Sequence, residues 1–255
     1  MNSSPRPTIV LLHGSFADAS GFNDVIQRLQ ARRFPTIAPS NPLRTLVSDA
    51  AYLRSVLDSI EGPIVLVAHS YGGMVITNAA TGHPNVGALV YINAFAPADG
   101  EAANDLAYKF PGSMLTPEHL TVRPYPATDS TQSGQEAYIN ADVFYEAFAA
   151  DVDPGTTAAM AATQRPIDLT ALQQPSGPSA WDGIPSWFII GQDDNTIPAD
   201  LHQYMAERAG AVRTLELPAS HVVMMSRPTE VVDVIVEAAE TRDDVRSRVG
   251  RSGQT

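Results

Sequence analysis

Ser70 lies in the hexapeptide Ala68-His69-Ser70-Tyr71-Gly72-Gly73, directly after the apolar run Ile64-Val65-Leu66-Val67. A β-branched run, a turn of small residues and then the helical pattern from Gly73 to Ala80 place this serine on a sharp strand-to-helix corner. A serine in a turn ordinarily serves as a local hydrogen-bonding group or helix cap. A corner of this kind instead exposes Oγ. It also aims the Tyr71 N–H, at the N-terminus of the next helix, into the same space, so a negative charge developing there meets a donor and a favourable dipole. The chemistry implied is nucleophilic attack by Ser70. The usual spelling of such a corner is G-x-S-x-G. Here Ala68 takes the first glycine position, a change that adds one methyl group where bulk between strand and helix must stay low.

A serine nucleophile needs a base, and the base needs a group that orients it. Leu215-Glu216-Leu217-Pro218-Ala219-Ser220-His221 reads as a short strand followed by a loop, with His221 as the candidate base. Trp187-Phe188-Ile189-Ile190-Gly191-Gln192-Asp193-Asp194 reads as a buried strand running into an acid-rich loop, and either aspartate could hold the imidazole. His13 and His69 flank the corner and are read as stabilising their turns. His83, His119 and His202 have no partner recognisable in the sequence.

Serine, acid and histidine in that chain order, each just past a strand, is the order of the α/β-hydrolases, and nearly the whole chain resembles that family. Ile9-Val10-Leu11-Leu12-His13-Gly14-Ser15-Phe16 resembles its first strand and His-Gly oxyanion loop; Gly191-Gln192-Asp193-Asp194-Asn195-Thr196-Ile197-Pro198 resembles its G-x-x-D-x-x-x-P acid loop. The resemblance implies Asp194 as the acid and the backbone N–H groups of Ser15 and Tyr71 as oxyanion donors. Asp99 stays a further candidate, because some members carry the acid after the preceding strand. The chain looks most like small bacterial esterase-like hydrolases related to plant methylesterases and hydroxynitrile lyases.

Stepping outward, strands at Ile9, Thr36–Ala38, Ile64, Ala88–Ile92, Trp187 and Leu215 alternate with helical patterns at Gly21–Arg32 and Val47–Ile60. Alternation of this kind implies a mostly parallel sheet with helices on both faces, and reactive groups gathered at strand C-terminal ends. About six core strands are expected. The division expected is a core of residues 1–95 and 181–241, a helical cap over 96–180 and a disordered tail over 242–255. Tyr138, Phe144, Tyr145 and Phe148, read as one aromatic-rich helical stretch, are expected to help line an apolar pocket.

With 44% hydrophobic and 17% charged residues, the chain can bury a substantial core. A net charge of −12 disfavours nucleic acid and anionic membranes as partners. No cysteine is present, so a thiol nucleophile, disulfides and zinc-thiolate sites are excluded. No histidine pair at metal-ligand spacing and no nucleotide-binding glycine pattern occurs, so neither metal nor cofactor is expected. The first residues show neither a secretory signal nor a membrane span, which points to the cytoplasm. The function expected is hydrolysis of a small, apolar or aromatic carboxylic ester through an acyl-enzyme on Ser70. A cofactor-free perhydrolase or haloperoxidase-like enzyme, a hydroxynitrile lyase and a slow-turnover ligand sensor are the alternatives. The lyases carry a threonine where this chain has Gly14 and a lysine where it has Val222. Oligomeric state is left open.

Overall fold

A computed structural model describes residues 6–126 and 133–252, with side chains described as far as Thr241. In chain order the elements are β1 (Thr8–Leu12), α1 (Asn23–Ala31), β2 (Thr36–Ile37), α2 (Leu46–Asp58), β3 (Ile64–Ser70), α3 (Gly72–Ala80) and β4 (Val86–Ala94). Then come α4 (Ala103–Ala107), β5 (Leu120–Pro126), β6 (Ser133–Ile139), α5 (Phe144–Phe148), α6 (Pro154–Ala162), β7 (Ile167–Asp168) and α7 (Leu169–Gln173). The chain closes with β8 (Ser186–Gly191), α8 (Ala199–Arg208), β9 (Arg213–Leu217), α9 (Val223–Ser226) and α10 (Pro228–Ser252).

Six strands form one parallel sheet in the order β2-β1-β3-β4-β8-β9. The near-continuous apolar runs in β1, β3, β4 and β8 follow from burial on both faces: every residue of β3 and β8 is buried. Right-handed crossovers put α1 on one face and α2 and α3 on the other, because the chain first steps outward from β1 to β2 and then returns past β1 to β3. Strand order therefore reverses between β1 and β3. The crevice for a ligand is expected at the C-terminal ends of those two strands, where the Ser15 loop and the Ser70 corner lie. Among the described residues, no helix is long and apolar enough to cross a membrane.

The helical character expected of residues 96–180 needs correction. The stretch holds four short helices, but also a separate antiparallel sheet ordered β5-β6-β7. In β6 burial falls on Ala137 and Ile139, two apart, with Glu136 buried beneath Arg44 and Arg123. The aromatic spacing that reads as one helix is in fact split: Tyr138 belongs to the strand, a turn follows Asn140, and only Phe144–Phe148 is helical. As for the tail proposed over 242–255, α10 extends to Ser252, while the side chains from Arg242 onward and residues 253–255 lie outside the described residues.

The tightest point of the frame is where α3 leaves the corner: a Cβ on Gly73 would lie 2.0 Å from the Phe95 carbonyl oxygen. Neither backbone segment can withdraw without disturbing β4 or α3. Gly73→Ala is expected to destabilise the protein by about 1–3 kcal/mol or more, the usual cost of overpacking. Gly183→Ala, with open space around it, should stay within about 0.5 kcal/mol, as surface substitutions do. Urea unfolding of the two variants checks this.

Candidate active site

Ser70 ends β3 with φ 56°, in the left-handed region. For a residue with a side chain, that conformation costs on the order of 1–3 kcal/mol, and it persists only where the surroundings over-determine it. Here they do. The β3–β4 register slips between His69 and Ser70, and the Ser70 carbonyl accepts from the Phe95 N–H at 3.2 Å. Gly14 allows the loop after β1 to touch the corner, since a Cβ there would lie 2.5 Å from Ser70 Cβ and 3.1 Å from its Oγ. Gly72 likewise has the Leu12 carbonyl oxygen 2.8 Å from its Cβ position, with Ala68 Cβ at an ordinary 3.4 Å. The Ala68 methyl is thus accommodated without strain, and the absent side chain at Gly72 makes room for the backbone after β1 instead. Tyr71 is the N-cap residue of α3, and its hydroxyl donates to the buried Asp49 carboxylate at 3.0 Å. Burial and that neighbouring charge push the phenol well above its ordinary range. The Tyr71 side chain therefore anchors α3 to α2.

His221 and Asp194 meet in the interior, with His221 Nδ1 2.8 Å from Asp194 Oδ2 and both side chains without exposed surface. Oδ1 of the same carboxylate accepts from the N–H groups of Thr196 and Ile197 at 2.8 and 2.9 Å. Burial alone would raise the pKa of Asp194. The charge of His221 and the hydrogen bonds from His202 and His221 outweigh it and hold the carboxyl well below the usual carboxylate range. An ionised acid only accepts, so Nδ1 of His221 donates to it, and in the neutral ring the lone pair lies on Nε2. Nε2 is buried and meets no hydrogen-bond partner. No hydrogen bond joins it to Ser70, but the residue before Ser70 reaches the histidine loop directly: His69 Nε2 lies 3.0 Å from the His221 carbonyl. Burial and the nearby His221 charge keep His69 well below the imidazole range, which suits a neutral donor to that carbonyl.

Ser15, Ser70 and Tyr71 line one cavity of about 340 Å³. Its other walls come mainly from Phe95, from α4 and from Leu115, Leu120, Val122, Leu169 and Leu172, with no charged side chain among them. None of the four aromatic residues expected there reaches it. Phe148 is fully buried and packs its ring against His221, centroids 4.9 Å apart, with Phe144 behind it at 5.1 Å. Tyr138 pairs with Arg123 and Glu136, and Tyr145 is exposed. Of the competing acids, Asp193 and Asp99 are both exposed, and neither meets His221.

The sequence profile of the α/β-hydrolase family matches residues 9–234. The chain belongs to the α/β-hydrolase family. A pyrethroid hydrolase of Sphingobium wenxiniae is 27% identical over 96% of this chain and 92% of its own. Methylesterase 9 of Arabidopsis thaliana is 23% identical over 78% and 80% of the two chains. Among solved structures, polyneuridine aldehyde esterase superposes with a TM-score of 0.78 at 18% identity, covering 91% of this chain and 99% of its own, a likeness of fold.

In this α/β-hydrolase two residues stand at the site that sequence reasoning left unassigned. Asn93, at φ 41° and fully buried, donates to the Ser220 and His221 carbonyls, each at 2.9 Å, and accepts from the Gly191 N–H at 2.6 Å. It thereby ties the histidine loop to the end of β8. His202 donates to Asp194 Oδ2 at 3.1 Å. An asparagine at a strand end and a histidine eight residues past the acid were the only signals available, and neither names its partner. Asp194→Asn is expected to lower kcat by about 10⁴, since the amide would favour the wrong tautomer of His221. Asp193→Asn and Asp99→Asn should leave kcat within about twofold, as changes to exposed groups away from the pair. Steady-state kinetics on the three variants decides the assignment.

Proposed function

We propose that this chain is a carboxylic ester hydrolase acting through an acyl-enzyme on Ser70. The observation that carries the reading is the buried His221–Asp194 bond, which commits Nδ1 to the acid and leaves Nε2 unpartnered, on a loop bonded to His69, the neighbour of a serine held at a left-handed corner. In this reading His221 Nε2 takes the Ser70 proton as Oγ attacks the ester carbonyl. Catalytic hydrogen bonds of this kind tighten when substrate binds. The backbone N–H groups of Ser15 and Tyr71 receive the oxyanion, each contributing on the order of 10²–10³ in rate. Collapse of the intermediate expels the alcohol, which takes the proton from His221. Water activated by the same nitrogen then releases the acid.

The cavity supports a neutral, largely apolar substrate, because its walls offer no cation to a substrate carboxylate. The relatives point the same way: their names specify pyrethroid hydrolysis and methylesterase activity. Residues 96–180 act as the cap that shapes this cavity over a core of residues 1–95 and 181–241. The working compartment proposed is the cytoplasm, with small-molecule esters rather than nucleic acid or membranes as partners. Against lyase chemistry, the lysine position is held by Val222, fully buried, and a side chain at Gly14 would collide with Ser70.

Hydrolysis of a panel of p-nitrophenyl and aryl esters tests the reading. Ser70→Ala should lower turnover by about 10⁶ while a serine-directed phosphonate labels Ser70 in the parent protein; near-parental hydrolysis by folded Ser70→Ala would overturn it. Specificity should follow the observed walls. Leu120→Ala and Leu172→Ala are expected to change the kcat/KM ratio between bulky and acetyl esters by about 1–3 kcal/mol, the worth of lost apolar complementarity. Tyr145→Ala should leave that ratio unchanged.

A further inference from the structure

His202 is the fourth residue of α8, the helix that follows the acid loop. Side chains on a helix lean toward its N-terminus, so the imidazole at this position reaches back over the loop that precedes the helix. It lies almost wholly out of solvent, with Nε2 3.1 Å from Asp194 Oδ2, the same oxygen that His221 Nδ1 approaches at 2.8 Å. With the Thr196 and Ile197 N–H groups on Oδ1, the carboxylate meets four donors, which is about its full accepting capacity. The helix that presents His202 is itself fixed, because Arg208 at its far end donates to Glu101 and to the Ala96 carbonyl, both at 2.8 Å.

We propose that His202 is a positioning residue for the reaction, donating Nε2–H to Asp194 so that the acid turns one fixed lone pair of Oδ2 toward His221. The inference rests on the serine-hydrolase reading above. With His202 removed, Oδ2 would keep an unmet accepting site in the interior, and the carboxylate could pivot on its two backbone donors. His221 would then lose its alignment although the residues of the triad are all still present. His202 touches no substrate and moves no proton. Only its N–H at the Nε2 position is required.

The test compares His202→Gln, whose amide nitrogen reaches the Nε2 position, with His202→Asn, one carbon shorter, and His202→Leu, which fills space without a donor. The Gln variant should stay within about threefold of the parent kcat. The Asn and Leu variants should lose about 10²-fold in kcat, the scale of a misplacement of about 1 Å, with KM nearly unchanged. The Gln/Asn pair matches in polarity, so the comparison survives if the Leu variant fails to fold. The deshielded His221 Nδ1 proton, read by NMR in the free enzyme, should move in His202→Asn and keep its place in His202→Gln. Parental kcat and an unmoved proton in folded His202→Asn, or an equal loss in Gln and Asn, would overturn the proposal. Ser70→Ala measured alongside separates the two readings: full activity there overturns the hydrolase assignment, whereas an inactive Ser70→Ala beside a fully active His202→Asn overturns the role of His202 alone.

Discussion

The closeness of backbone to backbone at the Ser70 corner is the constraint on which the rest of the site depends. Three segments converge there: the loop after β1, the start of α3 and the end of β4. They approach so closely that Gly14, Gly72 and Gly73 have no space for a methyl group. The left-handed serine is unfavourable by itself, and it is sustained because the buried central strands of the sheet fix the strand ends on either side. Burial of β-branched strands thus supplies the rigidity, and the glycines convert it into a short distance between the serine and the loop that carries Ser15.

A second set of contacts holds the acid and the histidine at the correct depth. Asn93 serves as a two-way clamp, its amide N–H group on two carbonyls of the histidine loop and its oxygen on the Gly191 N–H. An amide can do both at once. A carboxylate in its place would turn acceptor oxygens toward two carbonyl oxygens, so the end of β4 is chemically unsuited to holding an acid in this chain, in keeping with the exposed position of Asp99. The 96–180 stretch adds its own grip. Thr196 Oγ1 donates to the Ala147 carbonyl at 2.7 Å, Asn195 to Glu146 at 3.0 Å, and Ser220 to Asp151, while Phe148 covers the ring of His221.

The parallel sheet was legible in the sequence because its central strands are buried on both faces and read as near-unbroken apolar runs between helical patterns, while the count of about six strands drew on the family resemblance as well. The corner was legible for a related reason: small residues are obligatory wherever backbones touch. Gly191 illustrates this at the acid loop, where a Cβ would lie within 2.6–2.8 Å of Ala219, Ser220 and Asn93 atoms, and the glycine-to-proline spacing there points to Asp194, the carboxylate that stands 2.8 Å from His221. Contacts between distant segments carried no such mark. Asn93 meets groups about a hundred or more positions away, and His202 depends on a helix start whose side-chain direction is set only once α8 is placed. The aromatic residues of the 96–180 stretch were visible, but their destinations were not. Aromatic spacing alone cannot distinguish a ring that lines a cavity from one that packs on a buried imidazole.

The hydrogen bonds from the acid and histidine loops to the segment around α5 divide the 96–180 stretch into two mechanical parts. One part, Asn140 to Asp151, cannot move outward without loosening Asp194 and His221. The other reaches solvent at the cavity rim, where Tyr108 and Val122 line the cavity while remaining 70% and 47% exposed. Among the described residues, the cavity thus meets solvent at the rim formed by Tyr108, just past α4, and Val122 of β5. An evolving or engineered lineage of this protein has freedom to accept new esters by altering that rim and α7, whereas the same number of changes around Phe148 would disturb the packing that holds the His221–Asp194 pair.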